Sequence, residues 1–257
     1  MPRTKSAEPK KPKTSKSRKK LYEPGSTDPY SLSRSKIDLF LNCPRCFYLD
    51  QRHGIGRVSG PPFTINSAID SLLKREFDSH RIAGTVPDVL ADAGLDYVPF
   101  RHEKIDDWRN FRRGVHALHT ETMFDVYGAL DDVWQNPATQ EILVADYKAT
   151  AKASDVGIDA DWQISYKRQV ELYQWLLRAN GFRVSETAWF VYANGDVSAQ
   201  AFGARMDFRI SLIPYAGDTV WIEPTLRKIE ETLESDQPPD APESCSWCEY
   251  RKKTAGI

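Results

Sequence analysis

Two short runs place carboxylates and an ammonium where they can act together: Gly128-Ala-Leu-Asp131 and Asp146-Tyr-Lys148. On a strand, side chains alternate with period two, so Asp146 and Lys148 project from the same face. Asn136-Pro137 lies between the runs as a turn signal, and a hairpin about it can bring Asp131 beside Asp146. Two converging carboxylates raise each other's pKa unless a cation neutralises them, and an all-oxygen donor set suits Mg²⁺ or Mn²⁺. Such an ion lowers the pKa of a bound water and stabilises charge on a scissile phosphate. Lys148, a compact point charge, can orient that water or hold the phosphate. Gly128 allows the chain to approach closely at the hairpin, and Asp132 points to the opposite face if the strand is regular. The bland alternative is a solvated strand edge. It accounts poorly for a charged pair that closes the apolar run Ile142, Leu143, Val144, Ala145, which reads as a central strand.

Further along, Gln169 and Tyr173 are four residues apart and so share one face of a helix. An amide and a phenol there can hydrogen-bond a phosphate, a water or the carboxylates; without the hairpin they would read as surface and core. The four cysteines form two C-x-x-C pairs, Cys43/Cys46 and Cys245/Cys248. That spacing lets two thiolates grip one metal centre, and the best account of both pairs is a single shared four-thiolate site. Zn²⁺ and a [4Fe–4S] cluster both fit four thiolates.

The elements that must position these groups follow from periodicity. A short helix opens at Ser33 or Ser35 and is interrupted at Cys43-Pro44, where a second piece begins. Gly54 to Pro62 is a loop, with His53 as a loop residue at its edge. A helix is expected from Asn66 or Ser67 to about His80, with Ile69, Leu72, Leu73 and Phe77 on its buried side. Another is expected from His102 to about Ala117. Met123–Trp134 and Glu141–Lys148 read as the two strands of the hairpin. A helix over Trp162–Asn180, a strand over Thr187–Ala193, a turn at Asn194-Gly195, a strand over Phe208–Pro214 and a helix over Pro224–Leu233 complete the pattern. The order implies one α/β domain around a mixed sheet.

The 257 residues suffice for a substantial core, and 40% hydrophobic with 28% charged residues excludes wholesale disorder. No apolar run approaches a membrane span and no hydrophobic segment follows the basic N-terminus, so neither membrane insertion nor secretion is expected. Four cysteines are too few for a disulfide scaffold, which points to a reducing, cytoplasmic compartment. Residues 1–20 carry seven Lys and two Arg against one Glu, a net +8, and the remainder carries −9. A basic tail of this kind touches anionic partners or simply aids solubility. The chain therefore divides into a tail (1–20), a linker (21–32), a domain (33–251) and a C-terminal tail (252–257).

Taken in order, Ser35, Cys43-Pro44, Tyr48, G-x-x-D, D-Y-K, Q-x-x-x-Y and the terminal C-x-x-C-x-Y-R resemble the PD-(D/E)XK nuclease superfamily. The likeness is to its RecB-like, Cas4-like branch, which carries an iron–sulfur cluster. It spans about residues 31–251. The resemblance implies a restriction-endonuclease-like core, a mixed central sheet flanked by helices, with N- and C-terminal segments joined by the four-cysteine centre. It implies Mg²⁺- or Mn²⁺-dependent cleavage of DNA, at ends or in single strands, and protein partners in repair or nucleic-acid processing. Asp131 and Asp146 would ligate the metal, Lys148 would be the catalytic lysine, and Gln169 with Tyr173 the supporting motif. Two departures stand out. Where the family places a metal-binding His, this sequence has Asn66-Ser-Ala-Ile-Asp70. Asp70 then either ligates the metal or is a helix-surface carboxylate, leaving a catalytically impaired nucleic-acid-binding protein. The family also divides its cysteines one and three. Here Cys46 would supply the fourth ligand, so the resemblance favours [4Fe–4S] while the paired motifs keep Zn²⁺ open. An interaction module unrelated to nucleases ranks last.

Overall fold

A computed structural model describes residues 20–255. The basic tail, apart from Lys20, and the last two residues lie outside the described residues. The chain opens with strand β1 (Tyr30–Ser33) and helices α1 (Arg34–Asn42), α2 (Pro44–His53), α3 (Thr64–Ala83) and α4 (Asp88–Asp92). Strand β2 (Val98–Pro99), helix α5 (Ile105–Arg109) and strands β3 (Val115–His119), β4 (Phe124–Gly128), β5 (Asp132–Gln135) and β6 (Ile142–Thr150) follow. Helix α6 (Ile164–Ala179), strands β7 (Thr187–Gly195) and β8 (Phe208–Ala216), and helices α7 (Ile222–Glu234) and α8 (Ser246–Thr254) complete it.

The larger sheet is mixed, in the order β2-β5-β6-β7-β8, with β6 and β7 parallel and the other neighbours antiparallel. Its middle strand β6 is the apolar run singled out above. Period two sends its residues to two separate cores. Ile142 and Val144 pack with Val170, Leu172, Leu176 and Leu177, residues of α6. Leu143, Ala145 and Tyr147 pack with Leu73 and Phe77, residues of α3. The sheet is thus buried on both faces, which is why β6 shows no polar alternation until Asp146. A smaller sheet, β1-β4-β3, joins the first of these cores through Leu32, Val115, Phe124 and Val126. The architecture is the mixed α/β, restriction-endonuclease-like fold expected, with N- and C-terminal regions joined at the cysteines.

Several local expectations are corrected. The helix foreseen over His102–Ala117 ends at Arg109, and residues 115–119 are strand β3. Gly114 reverses the chain there with φ +75°, and a Cβ on it would lie 2.6 Å from the Gly128 carbonyl oxygen. Trp108 and Val115 are both buried in the same core, which mimics one helical stripe, while Phe111 between them is exposed. The run Met123–Trp134 is not one strand: β4 belongs to the small sheet and β5 to the large one, with a break over residues 129–131. Residues 21–32, read as linker, contain most of β1, and Tyr22 hydrogen-bonds Glu234 at 2.6 Å. His53 ends α2 with its ring against Tyr48 rather than lying in a loop. Leu72 is exposed, since only Leu73 and Phe77 of that stripe reach the core fully. Asn194-Gly195 is not the turn. Asn194 is buried with its amide bound to the Lys152 backbone, so β7 runs on through Gly195 and pairs with Phe208.

Asp132 is fully buried on the α3 side. Its Oδ1 meets Arg81 and accepts from Arg109 at 2.8 Å and from the Val133 N–H at 2.7 Å; its Oδ2 accepts from Tyr147 Oη at 2.7 Å. Asp78 bridges the two arginines at 3.0 and 2.7 Å. Removing one partner of such a group strands the others in low dielectric, so Asp132→Ala is expected to lower the unfolding free energy by about 3–5 kcal/mol. Urea denaturation followed by far-UV circular dichroism checks this, and a midpoint equal to wild type would refute it.

Candidate active site

The register of β5 on β6 pairs Asp132 with Ala145, which sets Asp131, one residue before the strand, against Asp146. Asp146 is fully buried on the α6 side of β6. Its Oδ1 accepts from Gln169 Nε2 at 2.9 Å, and its Oδ2 touches the Lys148 ammonium but receives no hydrogen bond of regular geometry. Gln169 is held in turn: its Nε2 lies 3.2 Å from Tyr173 Oη, and that hydroxyl donates to the Ala129 carbonyl. Gln169 and Tyr173 therefore share the face of α6 that their spacing required. Asp131 Oδ2 accepts the Tyr147 N–H at 3.0 Å, while its Oδ1 accepts from Lys74 at 3.1 Å. Lys74 also bonds Asp70, one turn earlier on α3, at 2.9–3.0 Å. The Lys148 ammonium lies 4.5 Å from the centre of the Tyr166 ring.

The two adjoining carboxylates are unequal. Burial, opposed by Lys148 and reinforced by Asp131, pushes Asp146 up to about 7. Burial also works against ionisation of Asp131, but Lys74, Lys148 and the Tyr147 N–H hold it below its ordinary value. Burial and then Asp131 raise Asp70, against Lys74. Lys74 is itself raised: burial opposes this, and Asp131 and Asp70 outweigh it.

A cleft of about 380 Å³ opens over this group, lined in part by Phe63, Asn66, Asp70, Asp131, Lys148 and Tyr166. A second, also of about 380 Å³, reaches Gln169 and Tyr173 past Arg34, Ser35 and Phe111. The carboxylates lining the first cleft are Asp70 and Asp131, and their oxygens are of the kind a hard divalent cation takes; the neighbouring Asp146 is buried, with its Oδ2 short of a regular donor.

The cysteines meet where α2 and α8 begin. Cys43 and Cys245 are the N-cap residues of α2 and α8, so all four thiols gather at two helix N-termini, where thiolates are favoured. None is in a disulfide, and their sulfurs all lie within 4.8 Å of one another. Cys43–Cys248 and Cys46–Cys245 are 3.7 Å apart and Cys46–Cys248 3.5 Å. Arg57 approaches Cys245 Sγ at 3.4 Å and Arg251 approaches Cys46 Sγ at 3.6 Å, cationic neighbours for a thiolate site. Without a metal the thiols share their protons unequally: against burial, the Cys248 backbone and the adjoining thiols bring Cys245 down, while burial first of all raises Cys43 and Cys248. Among the described residues this is the group of four that could hold a metal; Asp70, Asp131 and Asp146 do not close to the same distance.

The sequence model of the PD-(D/E)XK nuclease superfamily matches residues 63–252, well over half of the chain. The chain belongs to that superfamily. The matched span includes Asp70, Asp131, Asp146, Lys148, Gln169, Tyr173, Cys245 and Cys248, and excludes Cys43 and Cys46. No match was found among curated proteins. Among solved structures, one described as "Crystal structure of SSO0001" aligns over 81% of this chain and 79% of that one, with 16% identity and a TM-score of 0.33. A likeness that loose carries no argument. The superfamily is generally one of metal-dependent nucleases, and nucleic acid is its substrate class. Among the described residues no helix is long and apolar enough to cross a membrane.

Lys74, Tyr166 and Arg57 are not among the residues the sequence singles out; Arg251 is, as the last residue of C-x-x-C-x-Y-R, but its approach to Cys46 is not. The Asp70-x-x-x-Lys74 spacing is a legible signal for one ion pair, but the approach of Lys74 to Asp131 depends on the packing of α3 on the face of the sheet.

Gly128 explains how Tyr173 reaches this site. A Cβ at position 128 would lie 2.6 Å from Tyr173 Cε1, and Tyr173 is buried. Gly128→Ala is expected to displace the ring at a cost of about 1–3 kcal/mol. It should also loosen the Tyr173–Gln169–Asp146 chain, so cleavage should fall more steeply than the thermal midpoint. Unchanged stability and unchanged cleavage would refute the contact's role.

Proposed function

We propose that this chain is a Mg²⁺- or Mn²⁺-dependent deoxyribonuclease of the RecB-like, Cas4-like type, acting on DNA ends or single strands in a reducing, cytoplasmic compartment. The observation that carries the reading is the convergence of Asp131, Asp146, Lys148 and Gln169 in one place beside an open cleft. The order of the motifs and the cysteine pairs at the two ends of the domain support the branch. Asp131, Asp146 and Asp70 would hold the divalent ion. When bound, such an ion supplies Lewis-acid chemistry, lowering the pKa of water and offsetting charge on the phosphate. The chain's own groups do the positioning. Gln169 Nε2 fixes Asp146 Oδ1 and so turns Oδ2 toward Lys148. The Tyr147 N–H fixes Asp131 Oδ2 and leaves Oδ1 facing Lys74. Lys148 Nζ, steadied over the Tyr166 ring, holds a phosphate oxygen or orients the attacking water as water adds across a P–O ester bond. The +8 charge of residues 1–20 would add sequence-independent affinity for DNA. Partners in repair or nucleic-acid processing would direct it to its substrate.

A catalytically impaired DNA-binding protein is the second reading, favoured by Asp70 standing where the family has histidine. Cleavage decides between them. Purified protein with Mg²⁺ or Mn²⁺ should degrade end-labelled single- or double-stranded DNA. Asp146→Ala and Lys148→Ala should each reduce the rate on the order of 100-fold or more without shifting the content of thiolate-bound metal. Intact DNA with either metal would sink the nuclease reading, and wild-type rates in both variants would sink the site assignment.

For the four thiolates, the sulfur spacing supports one tetrahedral ion rather than the [4Fe–4S] cluster that the resemblance favours. With Zn–S bonds of about 2.3 Å, a tetrahedron separates its sulfurs by about 3.8 Å; three of the six pairs lie at 3.5–3.7 Å and all six within 4.8 Å. A four-iron cubane seats each thiolate on a different iron and needs them further apart. The protein purified without oxygen should be colourless, with one zinc per chain, and each Cys→Ser variant should lose that metal and destabilise the whole domain. A brown protein containing iron and sulfide would overturn the single-ion reading.

A further inference from the structure

Lys74 stands in a position that no catalytic motif accounts for. Its ammonium lies 2.9–3.0 Å from both oxygens of Asp70 and 3.1 Å from Asp131 Oδ1, so it bridges two of the three candidate metal ligands. Asp70 and Lys74 are one turn apart on α3, which fixes the first contact locally. Asp131 is 57 residues away in the chain and meets Lys74 only because α3 packs on the face of the sheet against β6. The lysine side chain is 21% exposed, so it is not sealed in. A divalent ion on Asp131 Oδ1 would need a metal–oxygen distance of about 2.0–2.1 Å. An ammonium in hydrogen-bond contact with that oxygen crowds the same approach, and two cations side by side repel. One of them must leave, and the four-carbon stem of a lysine can swing aside.

We propose that Lys74 is a built-in counterion, holding Asp70 and Asp131 in place in the metal-free protein and competing with the divalent ion for their oxygens. The inference rests on the reading of Asp131 as a metal ligand. Its charge logic is simple. Asp70, Asp131 and Asp146 carry up to three negative charges when ionised, and Lys74 and Lys148 return two. A divalent ion entering with both lysines in place leaves the site positive, whereas without Lys74 the same ion brings it to neutrality. Lys74 thereby lowers the affinity for metal and keeps the carboxylates ordered when none is bound. It acts through Asp70 and Asp131 and is a positioning residue, not a catalytic one.

The test is titration with Mn²⁺, followed by the electron paramagnetic resonance signal of the free ion, on full-length protein with its thiolate site filled as purified. Lys74→Met should bind Mn²⁺ tighter on the order of tenfold. Its thermal midpoint without divalent ion should fall, and added Mn²⁺ should raise it by more than it raises wild type. Lys74→Gln, which keeps a donor but no charge, should show the same tightening and stands in if the methionine variant does not fold. Equal or weaker Mn²⁺ binding by the folded variant would overturn the proposal. Asp131→Asn separates this from the underlying reading: if that variant binds Mn²⁺ as wild type does, the metal-site assignment itself has failed, whatever Lys74 does.

Discussion

Asp131, just before β5, stands beside Asp146 midway along the buried strand β6, and like charges so placed are tolerated only if cations and hydrogen-bond donors surround them. Much of the local architecture answers that demand. The amide of Gln169 takes one oxygen of Asp146, and the Lys148 ammonium faces the other. The backbone of Tyr147 takes one oxygen of Asp131, and Lys74 the other. These donors come from α6, β6 and α3, so the helices on both faces of the sheet are tied to the same two carboxylates.

The next residue shows the opposite solution to the same problem. Asp132 turns to the α3 side and is closed off by two arginines, a tyrosine hydroxyl and its neighbour's N–H. Nothing about that carboxylate is left for a ligand. Asp131 instead lines a cleft, and Asp146 beside it keeps one oxygen without a regular donor. Adjacent carboxylates in sequence thus divide between a saturated structural group and an open one, and the strand's alternation makes the division.

What could be read beforehand followed from short-range rules. Asp146 and Lys148 share a face because the strand period is two, Gln169 and Tyr173 because the helix period is near four, and Pro44 starts α2 because its ring fits a first helical turn. The failures arose where distant chain decides. Val115 to His119 carries a helix-like stripe from Trp108 onward, but Gly114 turns the chain so that these residues pair with β4. Tyr30 to Ser33 becomes a strand only because β4 is there to receive it. The roles of Lys74 with Asp131 and of Arg251 with Cys46 depend on contacts across tens to hundreds of residues, for which local pattern carries no signal.

The thiolate site has a temporal side as well. Two of its sulfurs lie in α2 and its first residues, while the other two come from the start of α8, after every strand of both sheets. A chain emerging from the ribosome N-terminus first can build β1 through α7 and still lack half of the quartet. Closure therefore waits until residue 248 is free, and a polypeptide truncated before residue 245 carries Cys43 and Cys46 as an unmatched pair. The last helix acts as a latch that distinguishes a finished domain from an unfinished one.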